Sequence, residues 1–419
     1  VWNGGIGDGA LAVDLGKGVD TLLGGASTRS LVVFGGEGID DITTGSGDDI
    51  VFGDYGRVDY TKKIVVNNVE YDVIVTRLGS SVPQNPVNPH VTGATTGSGP
   101  ITISDSAVDT EFQSFPTDYE GLVGLSLQII SPEGHVQFRT VIANTADTIT
   151  VDADWDEFPV FNAADKDDNY YYRVSSYPDD QTDGLFRGPR VIWSVKDELG
   201  SGDTISTGGG DDVAVGGAGG DTINVGAGHN VAFGDNGRIL FDAAEVAAPD
   251  MVLIESTSTL AGGGADTITS NGGDDILIGG RAGDMINAGD GSNLVIGDSG
   301  RITAANLNTP RFGGQPITLG KVETIEVADG GVDVITTGSG NDIVLGGAAG
   351  DTITLGAGND IALGDNGELV YDAAGSLDPA TLDAVRTTAW AVGGIDTVFG
   401  DAGDDLIIGG TAGDRLYGG

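Results

Sequence analysis

The chain has 419 residues, 73 of them glycine and none cysteine, with 63 acidic against 19 basic side chains and a formal net charge of −44. The lack of cysteine excludes disulfides and thiolate metal sites. So much negative charge opposes compaction and disfavours nucleic acid and anionic membranes as partners. Yet 39% of the residues are hydrophobic, enough for a packed interior once something cationic neutralises the acids.

In chain order, residues 1–58 open with "VWNGGIGDGA", which lacks the basic-then-apolar pattern of a Sec signal peptide. The chain is expected to be a segment of a longer repetitive polypeptide. No apolar run approaches the roughly 18 residues of a membrane span, so no membrane insertion is expected. The first regular feature is a pair of aspartates nine residues apart, Asp40 and Asp49, preceded by the degenerate stretches "GKGVDTLL" and "GGASTRSLV", the latter with Arg29 at the aspartate position. Residues 59–197 break the pattern. They hold alternating apolar stretches such as "NNVEYDVIVTRLG" and "VQFRTVIANTADTITVDADW" and read as an insert with a small antiparallel β domain centred on 117–177.

The spacing of nine then resumes and holds to the end. Block 198–242 carries Asp203, Asp212, Asp221 and Asn230, and block 243–304 carries Asp266, Asp275, Asp284 and Asn293 after a linker. Block 305–372 carries Asp333, Asp342, Asp351 and Asp360, and block 373–419 carries Asp396, Asp405 and Asp414, each again after a linker. The residue two places after every anchor is apolar, as in Ile205, Ile223, Leu277 and Val398. That is a period of two, so each nine-residue unit reads as a Gly-rich turn plus a short strand with its apolar residue inward. Two units make a coil of 18 residues, and like turns stack. A "GDxG" tetrad ends each block, beginning at Gly53, Gly234, Gly297 and Gly364; the last two intervals, 63 and 67 residues, set a module of about 65. Coils of this kind bury their faces only against neighbours, which favours one solenoid over several globules.

The turn chemistry points to calcium. Ca²⁺ takes six to eight oxygen ligands from carboxylates and carbonyls. Glycine lets carbonyls crowd an ion with no Cβ in the way, and one carboxylate per turn suits ions shared between stacked turns. Asp203 is expected to share ions with the turn of Asp221, Asp266 with Asp284, Asp333 with Asp351, and Asp396 with Asp414. On the other flank Asp212 stacks on Asn230, Asp275 on Asn293 and Asp342 on Asp360. Asp54, Asp235, Asp298 and Asp365 of the tetrads are expected to close the last site of each block. Where Asn230 and Asn293 replace a carboxylate, the site is expected to be weak or empty.

The units "GGEGIDDIT", "TGGGDDVAV", "GGAGGDTIN" and "GGRAGDMIN" resemble the nonapeptide of RTX (haemolysin-type calcium-binding) repeats over about half the chain. The resemblance implies a parallel β-roll, calcium in the turns and type I secretion. "GGRAGDMIN" departs from it in lacking the second turn glycine. The expected fold is therefore all-β: a calcium-binding parallel β-roll or β-solenoid of about 65-residue modules with an inserted antiparallel β domain. Affinity is expected in the range of extracellular modules, roughly 10⁻⁴–10⁻³ M.

Motifs of catalysis read as decoys. Ser299 of "GDSG" stands in a slot that is Tyr or Asn in the other tetrads, and His90, His135 and His229 form no His-Glu-x-x-His pair. His229 reads as a solvated turn residue. The stretch around Lys321 lacks the glycine spacing of a phosphate loop, and "DADWDE" and "DDQTDG" lack the closing Glu of a helix-loop-helix calcium loop. No enzyme activity is expected within the chain. The expected role is an extracellular structural element of a cell-surface or secreted protein: a stalk, surface layer, adhesin or filament that associates with itself end-to-end or laterally or contacts a cell surface or matrix. The alternatives are the calcium-binding module of a secreted enzyme whose catalytic domain lies elsewhere, and a glycan-binding insert using Trp155 and Tyr170–Tyr172.

Overall fold

The computed structural model describes residues 11–66, 68–79, 90–93, 101–104, 121–130, 136–145, 148–153, 171–176, 188–242, 249–257, 262–306, 309–371 and 381–419. All regular elements among them are β-strands. The chain divides into two units, one of Val1–Val58, Gly188–Asp242 and Val246–Gly419, the other of Asp59–Arg187 and Ala243–Glu245.

The first unit is a β-roll. Each coil gives one short strand to each of two ten-stranded parallel sheets. In the outer sheet Thr204–Ser206 pairs in register with Thr222–Ala227, so that Ile205 lies beside Ile223. In the inner sheet Val213–Val215 pairs with Val231–Phe233, and Ala214 lies beside Ala232. The stack runs on across the interruptions, since Thr204–Ser206 also pairs with Asp41–Thr43 although 163 residues separate the matched positions. The apolar residue two places after each anchor supplies the core: Ile42, Ile205, Ile223, Ile268, Ile286, Ile335, Ile353 and Val398 from the outer sheet meet Val51, Ala214, Leu277, Val295 and Val344 from the inner one. Each of these is at most 1% exposed. Towards the end of the stack burial falls: Ile407 is only partly buried and Leu416, in the last coil, is 46% exposed.

The two sheets differ in what covers them. Strands of the outer sheet alternate exposed and buried, as in "TIS", "TIT" and "MIN", whereas the inner strands "VAV", "VAF", "ILI" and "LVI" are buried at every position. Such continuous apolar runs mark strands covered on both faces. The cover is a third, antiparallel sheet formed by the segments between the repeat blocks. Gly237–Phe241 pairs with Met251–Ser256, Gly300–Ala304 with Leu319–Thr324, and Gly367–Val370 with Ala384–Thr387, and successive hairpins join edge to edge. Ile239, Ile254, Ile302, Val322 and Leu369 are fully buried on its inner face. A cavity bordered by Ile343 and Ile361 of the inner sheet and by Phe312, Leu319 and Tyr371 of the hairpins marks where the two layers meet.

The second unit holds a six-stranded antiparallel sheet in the order Tyr171–Ser175, Ser126–Ile130, Val136–Asn144, Thr148–Val151, Ile101–Ser104, His90–Gly93. Leu122, Leu125, Leu127, Val141 and Ile149 are buried in it. A buried ion pair joins Arg77 to Asp59 at 2.7 Å, and Arg77 also donates to the Gly121 carbonyl. Trp155, Tyr170 and the "DDQTDG" stretch lie outside the described residues, as do the side chains of Tyr171 and Tyr172.

Candidate metal centre

The anchors form two columns of stacked carboxylates, one on each flank of the roll. On the first flank the backbone N–H of each anchor donates to Oδ1 of the anchor in the next coil. The ladder climbs from Asp40 to Asp203, Asp221, Asp266, Asp284, Asp333, Asp351, Asp396 and Asp414 with N···O distances of 2.6–3.1 Å. The second flank repeats this from Asp49 through Asp212, Asn230, Asp275, Asn293, Asp342 and Asp360 to Asp405 at 2.7–3.1 Å. The stacking partners expected from the spacing of 18 are therefore neighbours, and the intervening excursions do not break either column.

The ladder spends only one oxygen of each carboxylate. Oδ2 of Asp40, Asp203, Asp221, Asp266, Asp284, Asp333, Asp351 and Asp396 is buried without a hydrogen-bond partner, and so is Oδ2 of Asp49, Asp212, Asp342, Asp360 and Asp405 on the other flank. All of these residues except Asp405 are at most 2% exposed. Asp405 and Asp414, near the end of the stack, are half-buried. An isolated anion with an unsatisfied oxygen is costly to bury. Burial accordingly raises the carboxyl groups far above their usual range: Asp203, Asp212 and Asp396 to about 7, Asp221 and Asp333 to about 8, Asp266 and Asp351 to about 9, and Asp284 to about 10. Neighbouring carboxylates of the column add to the shift at Asp266, Asp284 and Asp351.

The free oxygens look into the turns. A Cβ placed on Gly216 would lie 2.1 Å from the Gly234 carbonyl oxygen and 2.5 Å from Asp221 Oδ2. The same collision recurs at Gly279 with Gly297 O and Asp284 Oδ2, and at Gly346 with Gly364 O and Asp351 Oδ2. These glycines keep a channel of carbonyl and carboxylate oxygens free of side chains. Among the described residues no three His, Cys, Asp or Glu side chains converge as a metal site, so a cation here must take most of its ligands from carbonyls. That donor set, one carboxylate oxygen with several carbonyls, is hard and oxygen-only. It fits Ca²⁺ and not a transition metal.

The tetrad aspartates accept backbone amides. Asp235 accepts the N–H of Gly264 at Oδ1 and of Arg281 at Oδ2. Asp298 does the same with Gly331 and Ala348, and Asp365 with Gly394 and Thr411. Asp54 accepts from Ala218. Asp235, Asp298 and Asp365 thus have both oxygens on amides of the two turns that follow, whereas Oδ1 of Asp54 is buried without a hydrogen-bond partner. Ala282, where a turn glycine is missing, keeps the turn by adopting φ of 69°, and Ala349 and Ala412 behave alike at 68° and 71°.

Two features went unseen in the sequence. Asp20 belongs to the first column, its N–H donating to Asp40 Oδ1 at 2.8 Å; the signal was "GKGVDTLL", in phase but degenerate. The residue before each second-flank anchor makes a further ladder: Asp48, Asp211, His229, Asp274, Ser292, Asn341 and Asn359 each use a side-chain acceptor for the N–H of the next, and Asp404 ends it. His229 is a rung of it, its Nδ1 accepting from the N–H of Asp274 at 3.0 Å. Lys321 is paired with Glu323 and Glu368, and Ser299 is buried, 2% exposed.

The RTX calcium-binding nonapeptide repeat family matches residues 32–57, 200–238, 260–286, 271–301, 327–362 and 390–419. No curated protein matches the chain. The matched segments fall on the stacked coils from residue 32 onwards and leave out most of the stretches that build the covering hairpins, and the second unit. The chain thus carries RTX calcium-binding nonapeptide repeats, in several copies, folded as a β-roll.

Proposed function

We propose that the chain is an extracellular structural element whose β-roll is locked by calcium bound between stacked turns. The observation that carries this reading is the column of buried carboxylates, each with one oxygen held by the ladder and the other unpartnered among turn carbonyls. The ligands on the first flank are Oδ2 of Asp40, Asp203, Asp221, Asp266, Asp284, Asp333, Asp351, Asp396 and Asp414; on the second they come from Asp49, Asp212, Asp342, Asp360 and Asp405. Bound calcium supplies the positive charge that the buried oxygens lack, so its binding energy is folding energy. Asp235, Asp298 and Asp365, with both oxygens on backbone amides, act as latches that hold each hairpin's entry against the next two turns, whereas Asp54 keeps a buried free oxygen for the ion.

The working parts are mechanical: coils set length, calcium stiffens the stack, and the hairpins shield the inner sheet. Lateral association would use the open face of the outer sheet. From Thr204 to Phe399 its outward positions are Thr, Ser, Asn, Met, Val and Phe, without a charge, in a chain of net charge −44. Circular dichroism of the full chain tests the calcium reading. At pH 8 chelation should abolish the β signal and added Ca²⁺ restore it; an unchanged spectrum and melting temperature in chelator at that pH would overturn it. Sedimentation with calcium tests association, and a monomer at every concentration would rule out the self-assembling form.

A further inference from the structure

Three consecutive rungs of the second flank differ from the rest of both columns. Asn230 Nδ2 donates to the carbonyl of Gly228 at 3.3 Å and to Asp275 Oδ1 at 3.0 Å. Asn293 Nδ2 donates to the carbonyls of Gly289 at 3.2 Å and Gly291 at 3.1 Å. Between them, Asp275 has both oxygens engaged. Its Oδ1 accepts the backbone N–H and the amide of Asn230, and its Oδ2 accepts the Ser270 hydroxyl at 2.5 Å. Thr44, Thr207 and Thr337 hold the place of Ser270 in the turns of Asp49, Asp212 and Asp342, whose Oδ2 atoms have no hydrogen-bond partner. The next hairpin reinforces the same spot. Gln315, fully buried, donates through Nε2 to the carbonyls of Asn230 and Asp274, and the N–H of Gly314 donates to Asp274 Oδ2.

We propose that the turns closed by Asn230, Asp275 and Asn293 form a calcium-free clamp in the middle of the second flank. This rests on the calcium reading of the other turns. At both asparagines the amide points hydrogens at the turn carbonyls that elsewhere have only an anionic oxygen beside them. A cation entering there would meet an N–H donor in place of a carboxylate. At Asp275 Oδ1 already accepts two hydrogen bonds, and a cation at Oδ2 would have to compete with the Ser270 hydroxyl. The repeat thus carries its own substitute for the ion at these rungs. The second flank is split into two calcium runs, around Asp49–Asp212 and Asp342–Asp405, while the first flank is continuous. The clamp is satisfied by protein donors alone, so it is the part of the second flank that holds without calcium.

Anomalous diffraction from crystals of the full chain grown in Ca²⁺ locates the ions. Ions are expected along the first flank and at both ends of the second, with none in turns 225–230, 270–275 and 288–293; an ion in any of these three overturns the clamp. Equilibrium dialysis of the N230D/N293D variant gives the complementary readout. The variant should bind two or more Ca²⁺ beyond wild type, and an unchanged number in a folded variant counts against the proposal. Should the variant not fold, the wild-type crystals still decide. A wild-type chain with no bound calcium anywhere would overturn the ligand set of the other turns, a separate failure.

Discussion

A carboxylate with one oxygen in a hydrogen-bond ladder and the other sealed from water is stable only when protonated or bound to a cation. This gives residue-scale predictions with opposite signs in the two states. Asp284→Asn removes a carboxyl that must be protonated to be buried without metal, so without calcium the variant should be more stable than wild type by about 1–3 kcal/mol. In saturating calcium it loses a ligand and should be the less stable of the two. Calorimetric scans in Ca²⁺, and circular dichroism in chelator at pH 5, check the reversal. The pH dependence follows from the same groups. Their folded values, about 8 at Asp221 and about 9 at Asp266 and Asp351, lie above the unfolded value near 3.9. The folded, metal-free state therefore holds more protons, and its stability is fully present below about pH 4 and lost as pH rises through about 8–9. Metal-free protein should regain at pH 5 β signal that it lacks at pH 8, read by circular dichroism. Calcium binding near neutral pH should release protons, measurable by calorimetry in buffers of different ionisation heat. The alanines at positive φ offer a third test: Ala349→Gly relieves a left-handed backbone cost of roughly 1–2 kcal/mol. After the entropy cost of glycine in the unfolded chain, a modest rise in melting temperature is expected.

At the scale of elements, each strand is only three to six residues long in the roll, too short to persist without its neighbours above and below. Cutting one core contact should thus cost as much as in a globular interior. Ile286→Ala is expected to destabilise the calcium-loaded chain by about 2–5 kcal/mol, read by denaturant titration. The strand positions and their inward residues were legible in the sequence, because a nine-residue phase with an apolar residue two places after each anchor leaves little choice of register. The difference between the sheets was written there too. "DTIN" and "DTIT" alternate polar and apolar, whereas "NVAF" and "DILI" run apolar throughout, which is the mark of a strand covered on both faces. What covers it was not legible. Stretches such as "RILFDAAEVAAPDMVLIES" carry no period, and only their pairing with the hairpins of the neighbouring modules assembles them into a layer.

Over the whole molecule, a net charge of −44 and two columns of buried acids couple compaction to calcium. Small-angle scattering should show the radius of gyration falling on calcium addition and rising on chelation. The sequence by itself determined the β-roll, the in-phase pairing of turns 18 residues apart and the calcium chemistry, because all three are local and repeat. Tertiary structure decided what no repeat can state. It brought the turn of Asp40 against that of Asp203 across 163 residues, and it turned the tetrad aspartates onto backbone amides of later turns. It also filled the asparagine turns with their own donors. The physical reason is the same in each case. A spacing fixes which residues can stack, but whether a buried oxygen meets an amide hydrogen or open carbonyls depends on which distant backbone is placed beside it.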